Sequence, residues 1–196
     1  VDFQPLLLQH EVTALQEVDG TAFAGLDGGG VLVVPAGDLA GGSLWTAGRD
    51  LSGNNVKDLA WTGRYLWIAT ADGGLTRVED PAGTPVFRQF TGTNLGSLDL
   101  TAVTGAVVGG SERVYYAMNA GGIGQIVDGL SGNTYTAEQD GLISNTVNAL
   151  QMWEGQLFIG TPVGISRFAG NVFTNQNAGL GSLAVNDLAL EGDGHL

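Results

Sequence analysis

Cysteine is absent from this chain of 196 residues, and lysine occurs once, at Lys57. The first absence excludes disulfides and thiolate chemistry while saying little about compartment. The second belongs to a wider shortage of positive charge: 7 basic against 20 acidic residues give a formal net charge of −13. Such a surface repels phosphate backbones and anionic lipid, so neither nucleic acid nor an anionic membrane is an expected partner. No apolar run reaches the ~18 residues of a spanning helix, and no membrane insertion is expected of this segment. The chain does not open on Met and carries no signal-peptide pattern, which fits a mature or excised segment.

What the chain has in abundance is glycine, 33 residues, placed in a regular beat. A short apolar anchor recurs at Val12-Thr13-Ala14-Leu15, Val56-Lys57-Asp58-Leu59, Leu100-Thr101-Ala102-Val103, Val147-Asn148-Ala149-Leu150 and Val185-Asn186-Asp187-Leu188. A second anchor keeps phase with it: Phe23-Ala24-Gly25, Leu66–Thr70, Tyr115–Met118 and Leu157–Thr161. A period of roughly forty residues belongs to propellers and solenoids. An α-solenoid needs apolar residues at i, i+3, i+4 and i+7 over ten or more positions, and the glycine spacing forbids that.

The fourth copy shows the physical unit. Val147–Met152 is expected as a first strand, Glu154-Gly155 as a tight hairpin, and Leu157–Thr161 as a second strand apolar throughout. Ile165–Phe168 alternates as a third strand, and Val172–Thr174 is a shorter, more polar fourth. Four short antiparallel strands per repeat describe a propeller blade. The expected fold is therefore all-β, a propeller or partial propeller of about four full blades at 8–50, 51–94, 95–140 and 141–182. Partial blades at 1–7 and 183–196 would flank them, as in a fragment of a longer protein.

The order Gly-Leu-x-Ser-Asn, Val-x-x-Leu, an acidic/Gly hairpin, Leu-Trp-Ile-Gly-Thr and Gly-Ile/Leu-x-Arg resembles the two-component regulator propeller repeat. Residues 141–168 and 51–78 match it best, the latter through Leu66-Trp67-Ile68-Ala69-Thr70 and Gly74-Leu75-Thr76-Arg77. The copy at 100–127 departs, with Met118 in place of the Thr and Gly124-Gln125 before and at the Arg position. The first copy has no Arg. The resemblance implies a periplasmic or extracellular bacterial location and a role in sensor or envelope proteins. If the parent is a sensor kinase, it implies signalling through propeller packing.

Candidate site residues are few. Asp58 and Asp187 share one repeat position, where other copies carry Ala14, Ala102 and Ala149. First strands line the channel of a propeller, so these carboxylates could hold a cation or polar ligand, or equally bond a neighbouring blade's backbone. Trp45 falls in a Gly-rich stretch, Ala36–Asp50, read as an insertion beyond the third strand, and is a candidate contact residue on an exposed loop. Trp61, Trp67 and Trp153 are expected in the core. Arg77 and Arg167, at one repeat position, are expected in inter-blade or edge salt bridges.

His10 and His195 are the only imidazoles, too few for a usual metal site, and no metal or cofactor is expected. Asp27-Gly28-Gly29-Gly30 lacks the spacing of a phosphate loop and reads as a tight turn. The leading functional expectation is a non-catalytic module that binds a protein or small-molecule ligand through loops such as 36–50, 79–96 and 128–146, with oligomerisation open to it through blade edges. The alternatives are a structural subunit of a cell-surface assembly and a propeller enzyme, a lyase or hydrolase, with a channel-mouth site.

Overall fold

The computed structural model describes residues 9–38, 41–92 and 95–190. They form four separate four-stranded antiparallel sheets, each strand paired with its neighbours in chain order. The first sheet is β1 (Val12–Val18), β2 (Thr21–Leu26), β3 (Gly30–Pro35) and β4 (Ser43–Trp45). The second is β5 (Val56–Trp61), β6 (Leu66–Thr70), β7 (Gly74–Glu79) and β8 (Val86–Phe90). The third is β9 (Leu100–Val108), β10 (Ser111–Met118), β11 (Gly122–Val127) and β12 (Leu130–Tyr135). The fourth is β13 (Ala149–Trp153), β14 (Gln156–Thr161), β15 (Gly164–Ala169) and β16 (Val172–Asn175), with one short helix, α1 (Ala137–Asp140), before it. This is the all-β, propeller-blade architecture that the repeat predicts. The chain divides into two compact units, 1–100 and 101–196, each with two blades.

Hairpins inside the blades close with turns whose two central residues both take positive φ. Asp19-Gly20, Gly109-Gly110, Asp128-Gly129, Glu154-Gly155 and Gly170-Asn171 all do so. This is the type I′ geometry, whose twist matches the flanking strands. A different glycine opens the third strand. Gly30, Gly74 and Gly122 have φ of 83, 95 and 78°, and a methyl group on any of them would run into the backbone carbonyl of Trp45, Phe90 or Tyr135 on the fourth strand. Glycine is thus needed twice over there, for its conformation and for the close approach.

The repeat motif has a physical reason at each polar position. Thr70 and Thr161, both fully buried, donate their hydroxyls to the carbonyls of Gly74 and Gly164 at 3.0 and 2.8 Å, tying the second strand to the turn that follows it. Thr76 and Ser166 on the third strand accept from the backbone N–H groups of Ser52 and Ile143 at 2.8 and 3.0 Å, satisfying donors in the connector that enters the blade. The third blade departs from this pattern at Gly124 because the Tyr116 ring, on the strand directly opposite, fills the space that a side chain would need.

Among the described residues, each unit has a core shared by its two blades. In the first, Phe23, Val31 and Val33 of the first blade pack with Val56, Leu59, Leu66 and Ile68 of the second. In the second unit, Ala102, Tyr115 and Ile123 pack with Leu150, Leu157, Ile159 and Phe168. Trp67 is fully buried and lies 5.2 Å from the ring of Phe90, as expected for a core aromatic. Trp61 and Trp153 are half-buried.

Trp45 corrects the sequence reading. The stretch read as an insertion contains β4, and Trp45 on it is 6 % exposed. Its ring lies 5.3 Å from Phe23 of its own blade and 5.0 Å from Phe87 of the next. Phe90 and Tyr135 occupy the same place on β8 and β12, opposite Leu75 and Ile123 as Trp45 is opposite Val31. The ring closes the outer end of the inter-blade core instead of standing on a contact surface. The segments 79–96 and 128–146 likewise contain fourth strands, β8 and β12, and are only in part loops.

Three consequences can be measured. Trp45→Ala is expected to cost about 3–5 kcal/mol in urea unfolding, because a large buried ring is removed from two blades at once. Gly30→Ala is expected to cost about 2 kcal/mol or more at a solvent-shielded turn where the native φ excludes L-residues. Desolvation raises the Tyr116 phenol to about 12. Below pH 10 both folded and unfolded chains hold that proton; between pH 10 and 12 the unfolded chain releases it first. Stability is therefore expected to fall as pH rises through this window, and a plot of unfolding free energy against pH should be flatter in Tyr116→Phe.

Candidate functional site

The residue that follows each apolar anchor is polar in every copy: Thr13, Lys57, Thr101, Asn148 and Asn186. At three of these places the side chain reaches the carbonyl of the next copy's anchor. Thr13 Oγ1 donates to the Val56 carbonyl at 2.8 Å, Thr101 Oγ1 to that of Val147 at 3.5 Å, and Asn148 Nδ2 to that of Val185 at 2.8 Å. Lys57 instead extends to Asp27, its Nζ 3.3 Å from the carboxylate.

In the second unit these residues also line a depression of about 500 Å³. Thr101 comes from the start of β9, Asn119 and Ala120 from the β10–β11 turn, and Thr146, Val147 and Asn148 from the connector into β13. Asn186, from the copy that follows β16, completes the lining. Backbone bonds hold the frame. Asn148 N–H donates to Gly160 at 2.9 Å, Val185 N–H to Thr161 at 3.0 Å, and Gly122 N–H to Asn145 at 3.0 Å. Asn145 is itself fixed: its Oδ1 accepts from Ala137 N–H at 2.7 Å, and its Nδ2 reaches both carboxylate oxygens of Glu138. That amide donor holds the exposed Glu138 carboxyl below its ordinary range.

The lining contains three carboxamides and two hydroxyls, and no ionisable side chain. Each carboxamide offers donors and an acceptor, and each hydroxyl offers both. Such a surface can recognise neutral hydrogen-bonding groups. It supplies no acid, base or nucleophile.

The sequence reading placed its candidates one residue away. Asp58 and Asp187 stand two positions after the anchor valine, where Ala102 and Ala149 are buried. Side chains one apart on a strand face opposite ways, so a shift of one residue exchanges the core side for the solvent side. Each aspartate turns back on its own backbone: Oδ1 accepts from the next N–H, Leu59 or Leu188, at 2.8 Å in both. The register also shifts between Val56 and Asp58, as it does between Val12 and Ala14, so the first two anchors carry a bulge at the intervening residue. Asp58 and Asp187 lie in different units. A column polar in all five copies was the sequence signal for the depression; the Ala/Asp column attracted attention only through its charge.

The remaining candidates resolve simply. His10 lies with Nδ1 2.7 Å from the Asp27 carbonyl oxygen, and His195 lies outside the described residues, as do 1–7 and 191–196. Among the described residues no three His, Cys, Asp or Glu side chains stand at metal-holding spacing. Asp27–Gly30 is the β2–β3 turn. The Arg77 guanidinium, expected in an inter-blade or edge salt bridge, lies over the Tyr65 ring, 4.1 Å from the centroid. Residues 183–190, expected to begin a partial blade, form no strand, although Val185 bonds the fourth blade as an anchor does.

No family model matches the chain, and no curated protein matches it. Solved structures do resemble it. The extracellular domain of the putative one component system BT4673 from B. thetaiotaomicron is similar at a TM-score of 0.73 and 16% identity, over 94% of this chain and 28% of that one. PorZ, a bacterial surface component of the type-IX secretion system of Porphyromonas gingivalis, is similar at 0.61 and 16% identity, over 93% of this chain and 25% of that one. The WD40 β-propeller domain of Doa1 is similar at 0.65 and 16% identity, over 93% of this chain and 58% of that one. The chain thus spans about a quarter of the length of the first two. At these identities the likeness establishes the fold: the chain is built of β-propeller blades.

Proposed function

We propose that this chain is a non-catalytic, extracytoplasmic β-propeller module that senses a ligand or binds a protein through the depression bounded by Thr101, Asn148 and Asn186. The observation that carries the reading is the meeting of one repeat position from three successive copies at a single uncharged, hydrogen-bonding surface. Backbone bonds set these side chains rigidly, as recognition requires. The lining lacks the convergent acid, base or metal ligands that a propeller enzyme would need, which weighs against the lyase or hydrolase alternative. An envelope location, periplasmic or extracellular, is supported by the acidic, lysine-poor composition. The resemblance of residues 51–78 and 141–168 to the two-component regulator propeller repeat supports it too, as does likeness to an extracellular sensor domain. If the parent is a sensor, occupancy of this face would bias how its propeller packs.

The second reading, a structural subunit of a cell-surface assembly, draws on the likeness to PorZ. The two separate by what the depression prefers. Side-chain amide signals of Asn119, Asn148 and Asn186 are to be followed by nuclear magnetic resonance. Neutral oligosaccharides, neutral peptides and charged metabolites are added in turn at millimolar concentration. The sensing reading expects uncharged solutes alone to shift these signals, with affinity falling about tenfold or more in Asn186→Asp. A preference for charged solutes, or shifts confined to other parts of the chain, would remove the depression as the site.

A further inference from the structure

Ala120 holds a backbone conformation that its side chain disfavours. Gly121 N–H donates to the Met118 carbonyl at 3.1 Å, closing the β10–β11 turn over Asn119 and Ala120, and Ala120 takes a φ of 53°. A turn with positive φ at its third residue calls for Gly or Asn there. The first blade follows that rule: Gly28, two residues before Gly30 as Ala120 is two before Gly122, has a φ of 73°. Among the described residues, the other non-glycine positions at positive φ are Asp19, Asp80, Asp128, Glu154 and Asn171, all polar. In the second blade Asp72 stands at this place, and its carboxylate accepts from the N–H groups of Asn54 and Asn55 at 3.2 and 3.1 Å. Ala120 has neither the freedom of a glycine nor an acceptor with which to hold the connector, and it is exposed, outside the core.

What Ala120 does is line the depression. Five of the seven lining residues, Thr101, Asn119, Thr146, Asn148 and Asn186, carry a hydroxyl or carboxamide. The other two are Ala120 and Val147, and Val147 is only 4 % exposed. The methyl of Ala120 is therefore the exposed aliphatic side chain of an otherwise polar, uncharged wall. Backbone strain that serves neither the turn nor the core is a mark of a functional position.

We propose that the Ala120 methyl is a specificity contact and that the depression takes an acetamido group, its methyl against Ala120 and its amide among the surrounding carboxamides and hydroxyls. The proposal rests on the depression being the binding site and adds the chemical class of the ligand. A trans secondary amide shows one donor and one acceptor on opposite edges, and side chains that both donate and accept can meet it from different sides. It carries no charge, as the wall carries none. Its methyl gives Ala120 an apolar partner, which a ligand of hydroxyls alone does not. The same group ends an N-acetylated sugar and an N-acetylated peptide.

The test titrates the full chain with N-acetylglucosamine and N-acetylglycine amide, following the Ala120 methyl and the side-chain amides of Asn119, Asn148 and Asn186 by nuclear magnetic resonance. N-formylglucosamine, which lacks the methyl, and glucose, which lacks the amide, are the controls. An acetylated probe is expected to shift all four signals at millimolar concentration, and the tighter of the two names the source. N-formylglucosamine is expected to bind about fourfold more weakly than N-acetylglucosamine, the worth of one buried methyl, and glucose about tenfold or more weakly. Ala120→Gly is expected to raise the thermal midpoint by about 1–2 °C as the strain is relieved. The same variant should weaken the acetylated probe about fourfold and leave the formylated one unchanged. Equal affinity for acetyl and formyl probes, or for glucose, overturns this proposal and leaves the depression as a site. So does an Ala120→Gly chain that binds as before, or whose midpoint falls, which would make the alanine a part of the fold. If neither acetylated probe moves these signals the proposal also fails, and if no neutral solute does, the reading of the depression as the site fails with it.

Discussion

A branched apolar side chain seated on a small residue of the preceding second strand is the contact on which this chain depends. A blade of four short strands buries too little surface to stand alone, and its first strand must find a partner outside its own sheet. Val56 over Gly25 and Val185 over Gly160 supply that partner at close approach, a methyl group on either glycine falling 2.6 or 2.8 Å from the valine side chain. The hydroxyl of Thr13 and the carboxamide of Asn148 then satisfy the carbonyls of those valines, which the anchor brings out of water. At these two interfaces apolar contact and polar satisfaction are thus joined at one anchor valine. The second strand of the second blade, Leu66–Thr70, is fully buried.

The candidate site is a by-product of the same arrangement. A side chain that must reach across to the next copy's carbonyl has to be polar and has to point along the connector, toward the turn side of the sheet. Thr101 and Asn148 meet that requirement, and Asn186 continues the column beside Asn119 and Thr146. Structural need therefore concentrates carboxamides and hydroxyls at one place. The chain's strong negative charge is kept out of this lining, which offers uncharged hydrogen-bonding groups. The side chains that fasten one copy to the next thus also form the wall of the depression.

Period, blade count and strand type were legible along the chain, because glycine-closed turns and apolar runs are local features that recur. The Asp27–Gly30 turn, the buried Trp67 and the four strands of the fourth blade all followed from spacing and residue type. Trp45 was not legible. Glycines around it resemble an inserted loop, and only the pairing of Val31 with Trp45, with Phe87 of the next blade against its ring, puts it in the core. Arg77 was read for its charge, which suggests an acidic partner; the ring beneath its guanidinium, Tyr65, comes from the strand pairing.

Residue order alone fixed what repeats: the anchors, the I′ turns at pairs such as Glu154-Gly155, and the threonines that end the second strands of the second and fourth blades, whose bonds to Gly74 and Gly164 span four and three residues. It left undecided which of two adjacent columns faces solvent at the start of the first strand. The aspartate column, Asp58 and Asp187, and the column of Thr101, Asn148 and Asn186 are one residue apart, and either assignment satisfies an alternating pattern. Tertiary structure decided it through the bulge after Val12 and Val56 and through the bond each polar side chain makes to the next copy. Side-chain direction in a strand has a period of two, so a single residue of register, set by contacts some forty positions away, determines what is core and what is site.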